Sequence, residues 1–396
     1  MSECGVKEFK LRELLKIYNG TKYDHLNKGD IPLYGSGGLM SHVNEALYSG
    51  EAILLPRKGT LSNIMYVNES FWTVDTMYYA VVNDKLADAF YLYSYLSQLD
   101  LSNLDSGSTL PSMTKSAYES IVVKLPDLKI QKAVATILFN IRKKLETNNK
   151  INQELEAMAK TLYDYWFVQF DFPDQNGKPY KSSGGKMVYH PELKREIPEG
   201  WGVAKVEDIA QTGSGGTPKS TNVSYYSNGE IPWINSGELE QTVITSTSNF
   251  ITEEGLNNSS AKLFPSGTIL VAMYGATAGK VSFLTFEAST NQAICAIMLT
   301  DIRMRYYLKN VIEDLYQYLV KLSTGSARDN LSQDMIKNIK VVIPSNDILD
   351  RFYDFSNNII KEITKKQQEN EQLTQLRDWL LPMLMNGQVK VENYTD

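Results

Sequence analysis

Gly275-Ala276-Thr277-Ala278-Gly279-Lys280-Val281 is built like a loop that grips phosphate, with backbone N–H groups around the anion and a lysine on its charge. Three residues separate its glycines where four are needed, and Val281 stands where a Ser or Thr would hold magnesium, so nucleotide binding is not expected. Thr212-Gly213-Ser214-Gly215-Gly216-Thr217-Pro218-Lys219 is also glycine-rich, but no glycine precedes Lys219 and no helix start follows, which leaves a flexible loop. Pro173-Asp174 followed by Glu192-Leu193-Lys194 has the letter spacing of a nuclease site, in which carboxylates hold magnesium and a lysine assists water. These residues fall in a Pro- and Gly-punctuated connector rather than on strands, so the pattern is read as chance. Cys4 and Cys295 lack CxxC spacing, and His25, His42 and His190 are scattered, so neither a metal cluster nor a disulfide framework can be assembled. The acidic-Pro-Pro-aromatic motif of an amino-methyltransferase is missing, and no Gly-x-Gly is set after a strand as a dinucleotide site requires. The chain is expected to have no catalytic motif of its own.

What must be positioned, then, is a set of binding loops rather than a reaction centre. At 396 residues and 42% hydrophobic content the chain exceeds one ordinary domain and can bury two or more cores. A net charge of −6 argues against a protein that coats nucleic acid nonspecifically, but leaves room for local DNA contact through two positively charged faces. No run of about 18 apolar residues occurs and the first residues carry no apolar signal core, so a cytoplasmic protein is expected.

Two heptad-patterned stretches organise the sequence. Apolar residues fall at alternating four and three spacing through Ile130, Val134, Ile137 and Ile141, then through Ile151, Leu155, Met158, Leu162 and Tyr165. An offset of 218 residues leads to Ile348, Phe352, Phe355 and Ile359, then Leu373, Leu376, Leu380 and Met383. Each stripe turns polar in its middle, at Lys144 and Asn148 in the first and at Glu362, Lys366 and Glu369 in the second. These are predicted to be two helices of roughly 60 Å each at about 1.5 Å per residue, paired antiparallel. Setting Ile130 opposite Met383 places Lys144 against Glu369, Asn148 beside Lys366 and Ile151 against Glu362, a polar centre that either fixes register or is a water-exposed gap with no such role.

The modules before the helices repeat as well. Ile31-Pro32-Leu33-Tyr34 is answered by Ile231-Pro232-Trp233-Ile234, and Gly50-Glu51-Ala52-Ile53 by Gly267-Thr268-Ile269-Leu270. Arg57-Lys58-Gly59-Thr60 is answered by Tyr274-Gly275-Ala276-Thr277, and Gly107-Ser108 precedes Pro126 by the same 19 positions as Gly325-Ser326 precedes Pro344. Frame residues match while loops diverge, as when one scaffold presents two different surfaces. The expected class is α+β, with two pseudo-repeated mixed α/β modules (1–127 and 201–344) separated by two long antiparallel coiled-coil helices (128–167 and 345–388). A connector (168–200), with Phe170, Phe172, Tyr180 and Tyr189 expected to pin it, and a tail (389–396) complete the chain.

The segment Ala159-Lys160-Thr161-Leu162-Tyr163-Asp164-Tyr165-Trp166-Phe167, with Phe170-Asp171-Phe172-Pro173 and Gly184-Gly185-Lys186-Met187-Val188, resembles the central region of type I restriction-modification specificity subunits. Pro198-Glu199-Gly200-Trp201, Ser236-Gly237, Ala272 to Lys280, Asn291-Gln292-Ala293-Ile294 and Thr324 to Leu331 are similar to that family's second recognition half, and Leu376 to Gln388 to its terminal helix. The first module departs most. The resemblance implies two target recognition domains that read a split, asymmetric DNA sequence, with the helices setting the gap. It also implies two modification subunits that bind S-adenosylmethionine and methylate adenine N6. Restriction subunits that use ATP and magnesium are implied in turn, all of this chemistry lying outside this chain.

Base reading needs hydrogen-bonding groups at base edges, with Lys and Arg on phosphate. In the first module the residues of the right type in the divergent loops are Tyr34, Ser36, Arg57, Lys58, Ser108, Thr109 and Lys115. In the second they are Thr217, Lys219, Asn235, Ser236, Tyr274, Thr277, Lys280, Ser326, Arg328 and Asn330. Two rival readings remain: a self-contained nuclease or methyltransferase, opposed by the missing motifs, and a protein-binding scaffold without DNA contact, with which the acidic charge is compatible.

Overall fold

The computed structural model describes residues 6–101, 111–275, 277–322 and 331–385. The first half runs β1 (Lys7–Lys10), α1 (Leu11–Leu14), β2 (Leu15–Asn19), β3 (Lys28–Gly35), β4 (Gly38–Val43), β5 (Tyr48–Pro56), β6 (Met65–Thr73) and β7 (Met77–Val82). It continues with α2 (Ala89–Leu96), α3 (Lys115–Ser120), β8 (Val122–Leu125) and the long α4 (Leu128–Tyr163), which ends in one π-helical turn, Asp164–Val168. The second half begins β9 (Met187–His190), β10 (Arg195–Pro198), β11 (Gly202–Lys205), α5 (Val206–Ile209), β12 (Ala210–Ser214), β13 (Ile231–Ile234), β14 (Val243–Ile244) and β15 (Phe250–Ile251). Then come α6 (Glu253–Asn257), β16 (Leu263–Phe264), β17 (Ile269–Ala272), β18 (Val281–Leu284), β19 (Ala288–Thr290) and β20 (Ile294–Leu299). The last elements are α7 (Arg305–Leu322), α8 (Gln333–Lys337), β21 (Lys340–Ile343) and α9 (Asn346–Met385). Among the described residues no helix is long and apolar enough to cross a membrane.

The duplication extends to hydrogen bonds. β1 pairs antiparallel with β8, and β11 with β21, so each module is closed by its own first and last strands. The turn that follows is fixed by one device in both: Glu13 accepts from the Lys10 N–H at 2.6 Å, and Asp208 from the Lys205 N–H at 2.8 Å, capping donors the short helix leaves open. In the sheets, β2-β7-β5-β6 corresponds to β12-β20-β17-β18. The parallel contact of Leu33 and Tyr34 with Trp72 and Thr73 corresponds to that of Trp233 and Ile234 with Ser289 and Thr290.

The chain divides into two compact units, Met1–Glu146 with Gln372–Asp396, and Thr147–Glu371. In the first, alternation along β5 decides the two faces of the sheet: Ile53 and Leu55 join Phe90, Tyr91, Tyr118, Val134, Leu138 and Leu384 in one core, while Ala52 and Leu54 join Phe71, Met77 and Tyr79 on the other side. Gln131 ties the start of α4 to this unit, accepting from the Asp88 N–H at 3.0 Å and donating to the Pro126 carbonyl at 2.8 Å. In the second unit Ile269, Val271, Cys295 and Ile297 pack under α7, the end of α4 and the start of α9, where Phe167 and Phe352 meet edge to face with ring centroids 4.8 Å apart. Each such buried ring contributes about 2 kcal/mol from area alone.

The helices follow the heptad plan with a seam different from the expected one. Along α4 the buried or half-buried line is Val134, Leu138, Ile141, Leu145, Asn148, Asn152, Leu155 and Ala159, and along α9 it includes Phe352, Ser356, Ile359, Ile363 and Asn370. Ile151, Met158, Tyr165, Phe355 and Leu376, all expected in the seam, are exposed. Lys144 and Glu362 are exposed as well, and Glu362 is paired with Lys365 on its own helix at 2.6 Å. Within the second unit the two helices run antiparallel: Asn148 lies against Glu369 and Asn370, and Trp166 against Phe352. This register is displaced from the expected one by about a helical turn, because Asn148 meets Glu369 and Asn370 rather than Lys366. Lys366 bridges to Glu369 along its own helix at 3.1 Å. The second module packs on the end of α4 and turns Asn148 and Asn152 inward where Ile151 and Met158 were expected.

The connector is folded. Phe172 stacks between Tyr180 and Trp201 at 4.7 and 4.8 Å, and Phe170 is buried beside Trp201. Tyr189, expected to pin the segment, is exposed on the β9–β10 hairpin. The nuclease-like letters are engaged in structure: Asp174 accepts from the N–H groups of Asn176 and Lys178, and Glu192 pairs with Lys340 at 3.1 Å.

Candidate nucleic-acid interface

In the second module, three of the sequence-predicted residues meet at one turn that was not among them, Asn291-Gln292, and two more are joined to each other beside it. This turn sits between β19 and β20, and Asn291 accepts from the Ala293 N–H at 3.1 Å, which fixes its shape. Thr217 donates its hydroxyl to Gln292 Oε1, and Tyr274 donates its hydroxyl to the Gln292 carbonyl at 3.0 Å. Asn291 donates to Asn235 Oδ1 at 3.3 Å, and the Asn235 N–H is held by Glu238 at 2.8 Å. Thr277 donates to the Ser236 carbonyl at 2.8 Å. The loops after β12, β13 and β17 are thereby tied together by side chains, so the surface they present is fixed before any ligand arrives.

Residue types then sort by what remains available. Thr277 is buried and its hydroxyl is spent on Ser236, so it shapes the loop. Thr217, Tyr274, Gln292, Lys219 and Lys280 are exposed: the two hydroxyls donate to Gln292 and keep their oxygens as acceptors, the Gln292 amide offers N–H donors of the kind that read base edges, and the lysines offer charge for phosphate. Beside this surface lies a polar cleft of about 520 Å³ lined in part by Lys160, Lys280, Lys309 and Glu313. Lys160 is paired with Asp164 and Asp314, and Lys309 with Glu313 at 2.7 Å, so much of the cleft's positive charge is balanced within it. Ser326, Arg328 and Asn330 lie outside the described residues.

The first module builds its surface from different side chains on the same frame. Asn63 donates to the Ser36 carbonyl at 2.8 Å, and a Cβ on Gly59 would sit 3.0 Å from the Ser36 hydroxyl, so the β3–β4 turn and the segment after β5 lie together. Met113 donates its N–H to the Arg57 carbonyl, and Lys58 bridges to Ser112, which brings in the start of α3. Arg57 lies over the Tyr78 ring at 5.9 Å and donates to the Asp75 carbonyl at 3.3 Å. Lys115 is 3.8 Å from Glu119. Tyr34 is not part of this group: its hydroxyl donates to Glu69 at 2.8 Å, and burial together with that carboxylate pushes its pKa well above the ordinary phenol value. Ser108 and Thr109 lie outside the described residues. Asn63 was missed because a lone Asn in a turn carries no spacing signal, and Gln292 because its neighbours in space come from loops 18 and 75 positions away.

The family described as the type I restriction modification DNA specificity domain matches residues 3–157 and again 198–375. The specificity subunit of the type I restriction enzyme MjaIX of Methanocaldococcus jannaschii is 27% identical over 297 residues, 74% of this chain and 66% of that one, so the match spans just under two thirds of that relative. The HindI specificity subunit of Haemophilus influenzae is 27% identical over 333 residues, 71% of this chain and 72% of that one. In fold, the crystal structure of the type I restriction-modification S subunit from M. genitalium superimposes with a TM-score of 0.65 at 14% identity, covering 97% of each chain. With a copy of the domain in each half and the same frame in both, this chain belongs to the type I restriction-modification DNA specificity family.

Proposed function

We propose that this specificity subunit reads a bipartite, asymmetric duplex DNA target, with residues 1–127 as one recognition domain and 201–344 as the other, one per half-site. The observation that supports it is the repeated frame with unlike loops: the same parallel strand contact precedes Ser36 in one module and Asn235 in the other, but the side chains gathered there differ entirely. Two different surfaces on one scaffold suit two different half-sites. The chain selects the DNA and leaves catalysis to partners: two modification subunits, with S-adenosylmethionine, methylate adenine N6 in each half-site, and restriction subunits, with ATP and magnesium, cleave.

The helices act as the spacer between half-sites. At 36 and 40 residues α4 and α9 are about 54 and 60 Å long, more than the 34 to 36 Å of one DNA turn. Ile151, Met158 and Tyr165 form an exposed apolar line with heptad spacing on α4, extended by Phe355, and this line is offered to a helix of a modification subunit. Mapping methylated adenines in host DNA tests the reading: two fixed half-sites at constant separation are expected, and methylation without a bipartite site overturns it. A heptad inserted in both helices widens the gap and leaves each half-site sequence alone, while Met158→Asp abolishes copurification with the modification subunit.

A further inference from the structure

We infer that the β3–β4 hairpin of the first module is a ribbon that enters the major groove and reads thymine through its 5-methyl group, a contact made by Leu39 and Met40. The inference rests on the proposed DNA-reading role and adds the chemistry of one of its contacts. β4 is the edge strand of the six-stranded sheet, and four consecutive residues, Leu39 to His42, are exposed on its two faces. Leu39 and Met40 are 55% and 53% exposed. Bare apolar side chains on an edge strand invite unwanted pairing and are ordinarily replaced by charge, so their presence calls for an occupant.

Three features point to duplex DNA as that occupant. A two-stranded ribbon fits the major groove, about 12 Å wide, and this one closes in the two-residue turn Ser36-Gly37 between the paired Gly35 and Gly38. The added Cβ of Gly37 or Gly38 would meet nothing within 4 Å, so the turn is slender and open on that side, while Ser36 is held to its own module by Asn63 and Gly59. The exposed cations Arg57 and Lys58 immediately precede Gly59, which lies against Ser36 of the turn, placing phosphate-binding charge beside the ribbon's tip. The Met40 thioether folds back over Gly35, where an added Cβ would be 2.5 Å from its sulfur, so this apolar side chain forms a cap next to the turn. Within the major groove the 5-methyl of thymine is the apolar feature such a cap can cover.

The test uses the full chain assembled with its modification subunits and a duplex containing its mapped target. Each thymine is replaced in turn by deoxyuridine, which removes only the methyl. At least one replacement in one half-site should weaken binding about fourfold, the worth of one buried methyl-sized group. In the Leu39→Ser, Met40→Ser double variant that sensitivity disappears, while the other half-site is unaffected. Specific binding that tolerates uracil everywhere, or an unchanged methyl dependence in the variant, overturns the inference and leaves the DNA-reading role standing. Absence of specific binding by the wild-type complex instead sinks that role. Concentration-dependent dimerisation of the wild type that the variant abolishes, with uracil tolerated, would assign the edge to a second copy.

Discussion

Asn148 donates its side-chain amide to Asn370 Oδ1 across 2.9 Å, joining two buried residues on antiparallel helices, and Asn370 in turn donates to Asn149 at 2.8 Å. Glu369 Oε2 accepts from the same Asn148 amide. Asn148 Oδ1 and Asn152 Oδ1 are buried without a partner among the described residues, so this polar layer is costly as well as specific. Asn148→Ala should therefore lower stability by about 1–3 kcal/mol, since it leaves the buried Asn370 Oδ1 without its donor. Leu at both 148 and 370 should raise the melting temperature while letting the helices slip, which engineered cysteine pairs across the seam would report as several crosslinked registers. A single crosslinked register in the double variant removes the alignment role.

The two modules share a close approach that predicts equal sensitivity. A Cβ added to Gly20 would lie 2.0 Å from the Val74 carbonyl oxygen, and one added to Gly215 would lie 2.0 Å from that of Thr290. Backbone, not a movable side chain, occupies the space in both cases. Gly20→Ala and Gly215→Ala should each destabilise by more than about 2 kcal/mol, read as a drop in melting temperature. A tolerated substitution in one module alone would show that the repeat is not symmetric at this point.

Gln292 holds Thr217 through its side chain and Tyr274 through its carbonyl, so the two contacts can be removed one at a time. Tyr274→Phe removes one hydrogen bond and should weaken binding to one half-site by about 0.5–1.5 kcal/mol. Gln292→Ala frees the Thr217 loop and removes an exposed amide while leaving the carbonyl that Tyr274 uses, and should weaken binding by a similar amount, with the loss confined to the same half-site when each is mutated separately in a titration. Equal weakening at both half-sites would mean general unfolding instead.

The frame was legible where a physical rule acts over short range. The Ile-Pro strands and the heptad period work within a few residues, so their letters predict their structure. The seam was legible in period but not in phase: Ile151 and Met158 look like core, yet Asn148 and Asn152 are buried instead, because the second module covers the end of α4 and only tertiary packing chooses the face. The candidate surface was legible for Thr217, Asn235 and Tyr274 by residue type. Gln292 was not, since its role comes from three loops meeting in space.

Acid should loosen the connector through Asp171. Its carboxylate accepts from the Ser182 hydroxyl at 2.6 Å and the Ser182 N–H at 2.7 Å, and the hydroxyl bond most of all holds its pKa below the ordinary 3.8. A carboxylate depressed in the folded state contributes stability that is present above that ordinary value and is lost as pH falls through the lowered one. Asp171→Asn should remove this contribution at neutral pH and flatten the acid limb of the stability curve below about pH 4. An unchanged acid limb would place the dependence elsewhere.

Arg57 is the cation whose geometry makes the clearest claim about DNA. Its guanidinium is partly held by the Tyr78 ring and the Asp75 carbonyl, neither of which neutralises it, so its charge stays available while its position is restricted. A phosphate contact made by such a group should add affinity without adding sequence preference. Arg57→Ala should then weaken target and non-target binding of the assembled complex alike and reduce the slope of log K against log salt by about 0.9. Arg57→Lys should restore the slope, because the charge returns, and only part of the affinity, because a lysine lacks the planar face that stacks on Tyr78. A loss confined to one base position, with the salt slope intact, would instead make Arg57 a base reader.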